Sequence, residues 1–524
     1  MTLTRYNATA STLTKNRTGG DWCPNSGMCV TCVEGCVGMC EIGKSAYRGP
    51  EVIYPQPFGI ITTASQKAYP VDLSHFNIMG TVIGAHGIAA DSDKAIFPNV
   101  NLESKIGIGK GIKLELPFVI PGLGSTNVAK QNWDGLAIGS AITGTVLTIG
   151  ENVCGMDVDS VIKNGKVVSS PDMESRVKLY KQWQKKGYGG IVVQSNVEDG
   201  RLGVLEYGIR LGADCVELKW GQGAKDIGGE VKIKSLEKAQ LLSKRGYVVL
   251  PDPLDPAIIA EFKKGVFTEF ERHSRVGMVT EEGFLKTVEN LRKAGAKRIS
   301  LKTGAYRPSD LARAIKYCSI AKIDYLTIDA AGGGTGMSPW RMMNEWGVPN
   351  IETWSLAREY CQRLADKGKY VPDIILASGF VLEDQIYKGF ALGAPFVKAI
   401  GMARGPLAAV MVGKTIGEAI KKNELPVYLR RYGQTRESVF VTAEELKREY
   451  GKDYEKIPGG AIGLYTYYKR LAQGLRQLMA GSRKFGVQYL ERNDITAITR
   501  EAAEISGITY VMDLDKAEVD KLLK

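Results

Sequence analysis

The sequence of 524 residues lacks the segments by which a chain enters or crosses a membrane. It has no apolar run long enough to span a bilayer, and the opening stretch MTLTRYNATASTLTKNRTGG has no apolar centre of the kind found in secretory signals. Histidine is scarce as well: His75, His86 and His273 are the only three, and they are too scattered to predict a metal site. We therefore expect a cytoplasmic protein with no membrane partner.

The composition argues against two further classes, disordered chains and nucleic-acid-binding proteins. With 44% hydrophobic and 24% charged residues, the chain has enough apolar material for at least one large core. The formal net charge is +12, but the lysines and arginines are dispersed and commonly stand beside acids, as in LEKAQLLSKRG and EELKREYGKDYEK. A solvated basic surface explains this pattern better than a nucleic-acid site does.

Cysteine, in contrast, is concentrated. Five of the nine cysteines fall within residues 21–45, DWCPNSGMCVTCVEGCVGMCEIGKS, with the spacing C-x5-C-x2-C-x3-C-x3-C. They are Cys23, Cys29, Cys32, Cys36 and Cys40. In a reducing compartment clustered cysteines are more often metal ligands than disulfides, and four thiolates hold one 4Fe-4S cluster.

The sequence leaves open which four of these cysteines would ligate. Cys29, Cys32, Cys36 and Cys40 form the tightest set, and Cys23 could replace one of them. Zinc is the alternative metal, although structural zinc sites usually separate two ligand pairs by about a dozen residues or more. The other cysteines lie in predicted strands, helices or strand-end loops and are expected to be buried thiols. They are Cys154, Cys215, Cys318 and Cys361.

From residue 117 to about residue 404, apolar β-rich runs alternate with amphipathic helical stretches. The eight apolar runs are PFVIPGL, GTVLTIGEN, GGIVVQSN, ADCVELKWGQG, RISLKTG, IDYLTIDAAGGG, DIILASG and PFVKAIGMA. Eight such strands, each followed by a helix or a longer insertion, predict an α/β fold with a closed (β/α)8 TIM barrel; a doubly wound open sheet is the alternative. We expect an N-terminal region over residues 1–114, the barrel over 115–420 and a mainly helical C-terminal extension over 421–524.

Glycine-rich loops follow the last three predicted strands, where a TIM barrel commonly binds phosphate. These loops are AAGGGTGMSPW (330–340), Ser378-Gly379 and AIGMARG (399–405). Glycine lets backbone N–H groups approach a phosphate that a Cβ atom would obstruct. The candidate cofactor-binding residues are Gln194, Gly332, Gly333, Gly334, Thr335, Gly336, Ser378, Gly379, Gly401, Ala403 and Arg404.

Four stretches together carry a family resemblance: TIGEN (148–152), VELKWGQGAKDIGGE (216–230), IDAAGGGTGMSP (328–339) and LASGF (376–380). They resemble the FMN-binding barrel of glutamate synthase, over about residues 115–420, and the tail LAQGLRQLMAGSRKFGVQYLERNDI is similar to the helical region that follows that barrel. The resemblance implies an FMN at the barrel mouth, reduced by iron-sulfur electrons from a ferredoxin-type donor. It also implies hydride transfer to an imine, amino-acid or 2-oxo-acid-like substrate, and we expect a homo-oligomer.

The same resemblance assigns candidate catalytic residues. Lys302 on the fifth strand corresponds to the family lysine beside the flavin pyrimidine, where a cation steadies negative charge on the reduced ring. Glu151 and Lys219 match family residues around the 2-oxo acid. Glu230 stands where the family has a glutamine, and a carboxylate there would favour an amine, ammonium or iminium group over a 2-oxo acid.

Two departures from the family change the expected function. The family's glutamine-hydrolysing domain uses an N-terminal cysteine, but residues 1–20 contain none and only about 115 residues precede the barrel, so we expect no glutaminase activity. The family also has three cysteines for a 3Fe-4S cluster after its last strand, whereas AIGMARGPLAAVMVGKTIG has none, so the N-terminal cysteines are expected to replace that cluster. An electron-relay subunit and a flavin-free phosphate-binding barrel with structural zinc are the alternative functions.

Overall fold

The computed structural model describes residues 46–53, 69–223, 231–331, 333 and 338–524. The predicted cysteine-rich segment at residues 21–45 lies outside these residues, so its cluster stays a prediction. Among the described residues, no helix is both long and apolar enough to pass through a membrane.

Eight parallel strands close into a barrel in the order of their sequence, which confirms the TIM barrel and excludes the open sheet. They are β1 Phe118–Leu123, β2 Val146–Ile149, β3 Gly190–Ser195, β4 Cys215–Lys219, β5 Ile299–Thr303, β6 Tyr325–Asp329, β7 Asp373–Ala377 and β8 Val397–Gly401. All eight coincide with the predicted apolar runs. These strands are mainly apolar because one face packs inside the barrel and the other packs against helices.

Each strand leads to a helix on the outside of the barrel. The helices are α1 Trp133–Ile142, α2 Pro171–Trp183, α3 Val204–Arg210, α4 Glu281–Lys293, α5 Pro308–Ala321, α6 Asn350–Ala365, α7 Glu383–Gly393 and α8 Arg404–Lys422. Local sequence explains where they begin: α2 follows Ser170, whose Oγ accepts a hydrogen bond from the Met173 N–H, and it has Pro171 in its first turn. Likewise α4 follows Thr280, whose side chain accepts from the Gly283 N–H.

A hairpin closes the amino-terminal end of the barrel. Its strands are Ser104–Ile106 and Ile112–Leu114, and the glycine-rich turn at 107–111 connects them. Three of its side chains, Ile106, Ile112 and Leu114, join a buried cluster with alternate residues of the barrel strands. The other members are Val119, Val146, Val192, Cys215, Tyr325, Ile375 and Ala399. This end of the barrel is therefore a packed core, and the opposite end is left for the site.

Two segments surround the barrel. Between β4 and α4 the chain forms a three-stranded antiparallel sheet of Val231–Ile233, Phe270–His273 and Val248–Leu250, together with the helices Leu236–Lys244 and Pro256–Lys263. After α8, the long helix α9 (Gly459–Gly481) packs against α8 and α1. The contact is close because Gly413 of α8 faces the Gly459 backbone, where an added Cβ would collide.

The N-terminal and C-terminal regions meet through a two-stranded sheet, in which Phe76–Ile78 pairs with Ile495–Ala497. The hairpin Val161–Lys163/Lys166–Ser169 lies in the β2–α2 connection. The remaining α-helices are Asn127–Gln131, Val153–Met156, Val197–Leu202, Trp340–Glu345, Val427–Arg430, Arg436–Val439, Ala443–Tyr450, Arg500–Ser506 and Lys516–Leu522. Short 3-10 turns cover Gly49–Ile53, Leu73–His75, Phe97–Asn99, Gly451–Lys456, Val487–Tyr489, Arg492–Asp494 and Val511–Asp513.

Candidate active site

Above the apolar layer, the barrel interior becomes polar. Gln194 of β3 and Glu217 of β4 are register partners, and the Gln194 Nε2 donates to Glu217 Oε1 at 2.6 Å. The other oxygen of Glu217 accepts from Ser300 Oγ at 3.2 Å and lies 3.4 Å from Thr327 Oγ1. Gln194 Oε1 is buried and has no hydrogen-bond partner within the described part of the chain. This layer forms the floor of the site.

At the carboxyl ends of β2 and β4, Glu151 and Lys219 form an ion pair. Lys219 Nζ lies 2.7 Å from Glu151 Oε1, and it also donates to Gln222 Oε1 at 2.7 Å. Burial lowers the pKa of Lys219, and the carboxylate of Glu151 opposes that shift. The pair therefore combines a lysine of lowered proton affinity with a carboxylate in direct contact, as general acid–base chemistry requires.

A second ion pair lies between β5 and β6. Lys302 Nζ is 3.1 Å from Asp329 Oδ2; the Lys302 side chain is buried and that of Asp329 is largely shielded from solvent. The Ser378 Oγ–H donates to the other oxygen of Asp329. Burial by itself would raise the pKa of Asp329, but the adjacent Lys302 ammonium, together with hydrogen bonds from Ser378 and the Gly223 backbone, lowers it, so the carboxyl is ionised. The same contact raises the pKa of Lys302 against the opposing effect of its burial.

Gly333 lies directly against Asp329 and Ser378, and its lack of a Cβ atom permits this close approach. A Cβ added to Gly333 would come within 2.5 Å of both Asp329 Oδ1 and Ser378 Oγ. Ser378 itself has φ +90°, a left-handed conformation that non-glycine residues rarely adopt and that is concentrated at functional sites. The loops after β6 and β7 are thus brought together with little side-chain bulk between them.

The amino terminus of α8 lies at the same end of the barrel, where the sequence predicts phosphate binding. Ala403 occupies the N-cap position and supplies no side-chain hydrogen bond, so it leaves backbone N–H groups of the first turn without a side-chain cap. Arg404 follows it, and within the described residues no carboxylate forms an ion pair with Arg404. Gly401 at the end of β8 lies beside its register partner Ala377 on the adjacent strand β7, and an added Cβ would lie 3.0 Å from the Ala377 Cβ.

Most of the described residues predicted from the sequence gather at this one end of the barrel. The structure pairs Glu151 with Lys219 and places Lys302, Ser378 and Gly333 around one carboxylate. Five other predicted residues lie outside the described part of the chain, so their roles stay predictions: Glu230, Gly332, Gly334, Thr335 and Gly336. Gly379, also predicted, has φ +85° in the β7–α7 loop.

Other predictions concern residues away from the barrel mouth. His86 is exposed and joins an isolated bridge with Lys484, which fits a structural histidine. Cys154, Cys215, Cys318 and Cys361 are buried thiols, as predicted. In the described ranges no group of three or more metal-ligating side chains is arranged to hold an ion.

Glu217, Asp329 and Gln222 lie in the candidate site but were not predicted from the sequence. A signal for the first two exists in the strands, since polar residues alternate in CVELK and again in YLTID. Period-2 alternation in an otherwise apolar barrel strand places those side chains on one face. Gln222 gave no comparable signal, because its contact with Lys219 depends on the path of the loop after β4.

A further buried carboxyl lies behind Glu151. Asp199 Oδ2 accepts the Asn152 N–H at 2.7 Å, and Asn152, the residue after Glu151, has φ +67°. Burial raises the pKa of Asp199 to about 7, and the nearby charge of Glu151 adds to that rise, whereas Arg272 opposes it. The other oxygen, Oδ1, is buried with no hydrogen-bond partner among the described residues.

Comparison with known proteins agrees with the resemblance in the motifs. A family model described as "Conserved region in glutamate synthase" matches residues 272–413. A curated relative, the glutamate synthase large subunit-like protein YerD of Bacillus subtilis strain 168, is 30% identical over 204 residues, which is 37% of this chain and 33% of the relative. The matched part thus spans about a third of that relative's length.

Two solved structures of oxidases also match this chain at low identity. A mandelate oxidase variant with (S)-mandelic acid has 13% identity and a TM-score of 0.44, covering 80% of this chain and 86% of that one. A putative lactate oxidase of Pediococcus acidilactici has 12% identity and a TM-score of 0.39, covering 79% of this chain and 81% of that one.

Proposed function

Because this chain is glutamate synthase-like in its barrel, we propose that it is an FMN-dependent oxidoreductase whose flavin lies at the carboxyl ends of the barrel strands. The proposal rests on two features at one mouth of the barrel. Gly333 and the amino terminus of α8 form a predicted phosphate side with little side-chain bulk, and Gln194 and Glu217 form a polar floor.

The residues at this mouth fit an FMN. On the phosphate side, Gly333 has no Cβ to displace Asp329 and Ser378, and Arg404 supplies a cation next to uncapped N–H groups of α8. On the ring side, the orphaned Gln194 Oε1 is a buried acceptor that requires a donor, and Glu217 fixes its amide by accepting the Nε2 hydrogen bond. Lys302, two residues after Ser300 on β5 and in register with Lys219, lies one layer above Gln194 and Glu217.

When bound, FMN supplies the exchange between single electrons and a hydride, which none of these side chains can perform. Lys302 places a positive charge at the mouth, and its contact with Asp329 holds that charge in position. Glu151 and Lys219 hold a proton between them at 2.7 Å, beside the space above the barrel. Hydride addition to the carbon of an imine or carbonyl leaves charge on nitrogen or oxygen, and this pair is placed to supply the matching proton.

We further propose an amino-acid-like or 2-oxo-acid-like substrate and electrons from a ferredoxin-type donor, passed through a 4Fe-4S cluster on the N-terminal cysteines, without glutaminase activity. A carboxylate substrate suits Lys219, the cation at the mouth that the motif comparison assigns to the 2-oxo acid. Two electrons from one-electron donors balance each hydride delivered, so a cluster is a suitable electron port.

FMN uptake is the first experiment. Purified protein stripped of cofactor should take up one FMN per chain, with the two visible absorbance bands of a bound flavin. Gly333→Asp should abolish uptake because its side chain adds bulk and negative charge where the space beside Asp329 and Ser378 is smallest. Gly481→Asp at the end of α9, where an added Cβ meets nothing within 4 Å, is the matched control and should bind FMN normally. Full FMN uptake by Gly333→Asp would place the flavin elsewhere.

Reoxidation of the reduced flavin tests the substrate class. Reduced protein should be reoxidised faster by ammonium together with pyruvate, oxaloacetate or 2-oxoglutarate than by ammonium alone. Glu151→Gln should slow this step without slowing flavin reduction by dithionite, because the variant keeps the side-chain shape but cannot exchange a proton. If none of these acids accelerates reoxidation, the chain is an electron-relay subunit and the proposed substrate class is wrong.

A further inference from the structure

Lys302, the cation that the motif resemblance places beside the flavin, forms an ion pair. Its Nζ is 3.1 Å from Asp329 Oδ2, and the two side chains are only 5% and 14% exposed. A second carboxylate, Glu217, lies below it and accepts hydrogen bonds from Gln194 and Ser300. The positive charge of Lys302 is thus matched within the barrel before any ligand binds.

The carboxylate of Asp329 is fixed in place from its other side. The Ser378 Oγ–H donates to Asp329 Oδ1, and Ser378 keeps a left-handed backbone, φ +90°, while making this contact. Gly333 packs so closely on both residues that no larger side chain fits. A carboxylate held by three separate loops and strands cannot turn away from Lys302 without rearranging the mouth.

The charges on the pair support each other. The Lys302 ammonium keeps Asp329 ionised despite burial, because it lowers the pKa of that carboxyl below its usual range. Without Lys302, burial would be opposed only by the smaller effects of the hydrogen bonds from Ser378 and the Gly223 backbone, and the pKa of Asp329 would rise. The pair is therefore neutral as a unit, and Lys302 is the largest influence that keeps its carboxyl ionised.

We propose that Asp329 is a positioning residue that cancels the charge of Lys302 beside the flavin and so holds the bound FMN at a lower reduction potential than a free lysine would. This inference rests on the proposed function. Reduction places negative charge on a flavin, and an uncompensated cation nearby favours the reduced form, whereas a neutral ion pair favours it much less. A flavin held at low potential is the stronger hydride donor toward an imine or carbonyl.

The test is the reduction potential of the bound flavin in three variants. Asp329→Asn keeps an oxygen acceptor for Ser378 Oγ but leaves Lys302 with a net charge. It should raise the ratio of reduced to oxidised flavin, at equilibrium with a reference dye, by at least about tenfold, or about 30 mV for two electrons. Lys302→Met should change the ratio by clearly less, because Asp329 then loses the largest influence that keeps it ionised and its pKa rises. The double variant should match Lys302→Met.

Asp214→Asn is the matched control, since it breaks another ion pair, with Lys181 at 2.6 Å, near the amino-terminal end of β4. Its flavin potential should stay at the wild-type value. If Asp329→Asn loses its flavin, Ser378→Ala provides a second variant, because freeing one oxygen of Asp329 should shift the ratio in the same direction by a smaller factor.

Flavin-free protein gives a readout that does not depend on the cofactor. There, a double-mutant cycle of Asp329→Asn and Lys302→Met, followed by urea unfolding, should show that the two residues are coupled.

Different results would overturn the proposed function and the proposed role of Asp329. Wild-type protein that takes up no FMN would overturn the proposed function and this inference with it. FMN bound at full stoichiometry with an unchanged ratio in Asp329→Asn would overturn the inference alone. So would a fall in the ratio for Lys302→Met as large as the rise expected for Asp329→Asn, because Lys302 would then act as a free cation.

Discussion

Replacement of Asp199 by asparagine should change how the stability of the protein depends on pH. Burial raises the pKa of this carboxyl from 3.8 to about 7 in the folded protein. The folded state therefore holds the Asp199 proton more tightly than the unfolded state does. The resulting stabilisation is complete below about pH 3.8 and is lost as the pH rises through about 7. The shift of roughly three pKa units corresponds to about 4 kcal/mol, spread at about 1.4 kcal/mol per pH unit.

Asp199→Asn removes this titration but leaves an oxygen that can accept the Asn152 N–H. The free energy of unfolding, measured with urea between about pH 5 and about pH 8, should therefore fall with pH more steeply in wild type than in the variant. The difference between the two proteins should change by about 3 kcal/mol across that range. Asp520→Asn, which removes an exposed carboxylate, is the control and should run parallel to wild type. Parallel curves for Asp199→Asn would mean that Asp199 is ionised throughout, and the reasoning from burial would be refuted.

Three further outcomes are expected. Lys219→Met should slow flavin reoxidation by substrate at least about tenfold, while reduction by dithionite stays near the wild-type rate, because Lys219 and its partner Glu151 lie at the mouth. Stopped-flow traces of the two half-reactions measure both rates, and equal slowing of both would contradict a substrate role. Gly333→Ala should weaken FMN binding in equilibrium dialysis more than Gly401→Ala does. The added Cβ lies 2.5 Å from two polar atoms at position 333 but 3.0 Å from a methyl group at position 401. If Gly401→Ala had the larger effect, the phosphate would bind away from Gly333. Cys32→Ser should deplete iron, measured by chemical assay, while FMN stays bound, and full iron content would remove Cys32 from the ligand set.

The barrel is predictable from the sequence alone, and so is the expectation that polar strand-end residues gather at one end of it. Continuous apolar strands alternating with amphipathic helices leave few architectures that bury both faces of a parallel sheet, and the structure has all eight strands where the apolar runs predict them. Lys219 and Lys302 could be assigned to the mouth because each stands at or near the carboxyl end of its strand. Gly333 could be assigned there by the same argument.

Which charged side chains form ion pairs in the site depends on the tertiary structure. Asp329 lies 27 positions from Lys302 in the printed sequence, and it becomes the partner because β5 and β6 are adjacent in the closed barrel and both residues face its interior. Glu217 and Gln194 are joined by the register of β3 on β4, and Asp199 reaches the backbone after Glu151 only through the helix that follows β3. Burial then sets the protonation of each group, and burial is a property of the packed barrel as a whole, because the dielectric surroundings of a side chain are built by residues that are distant in sequence.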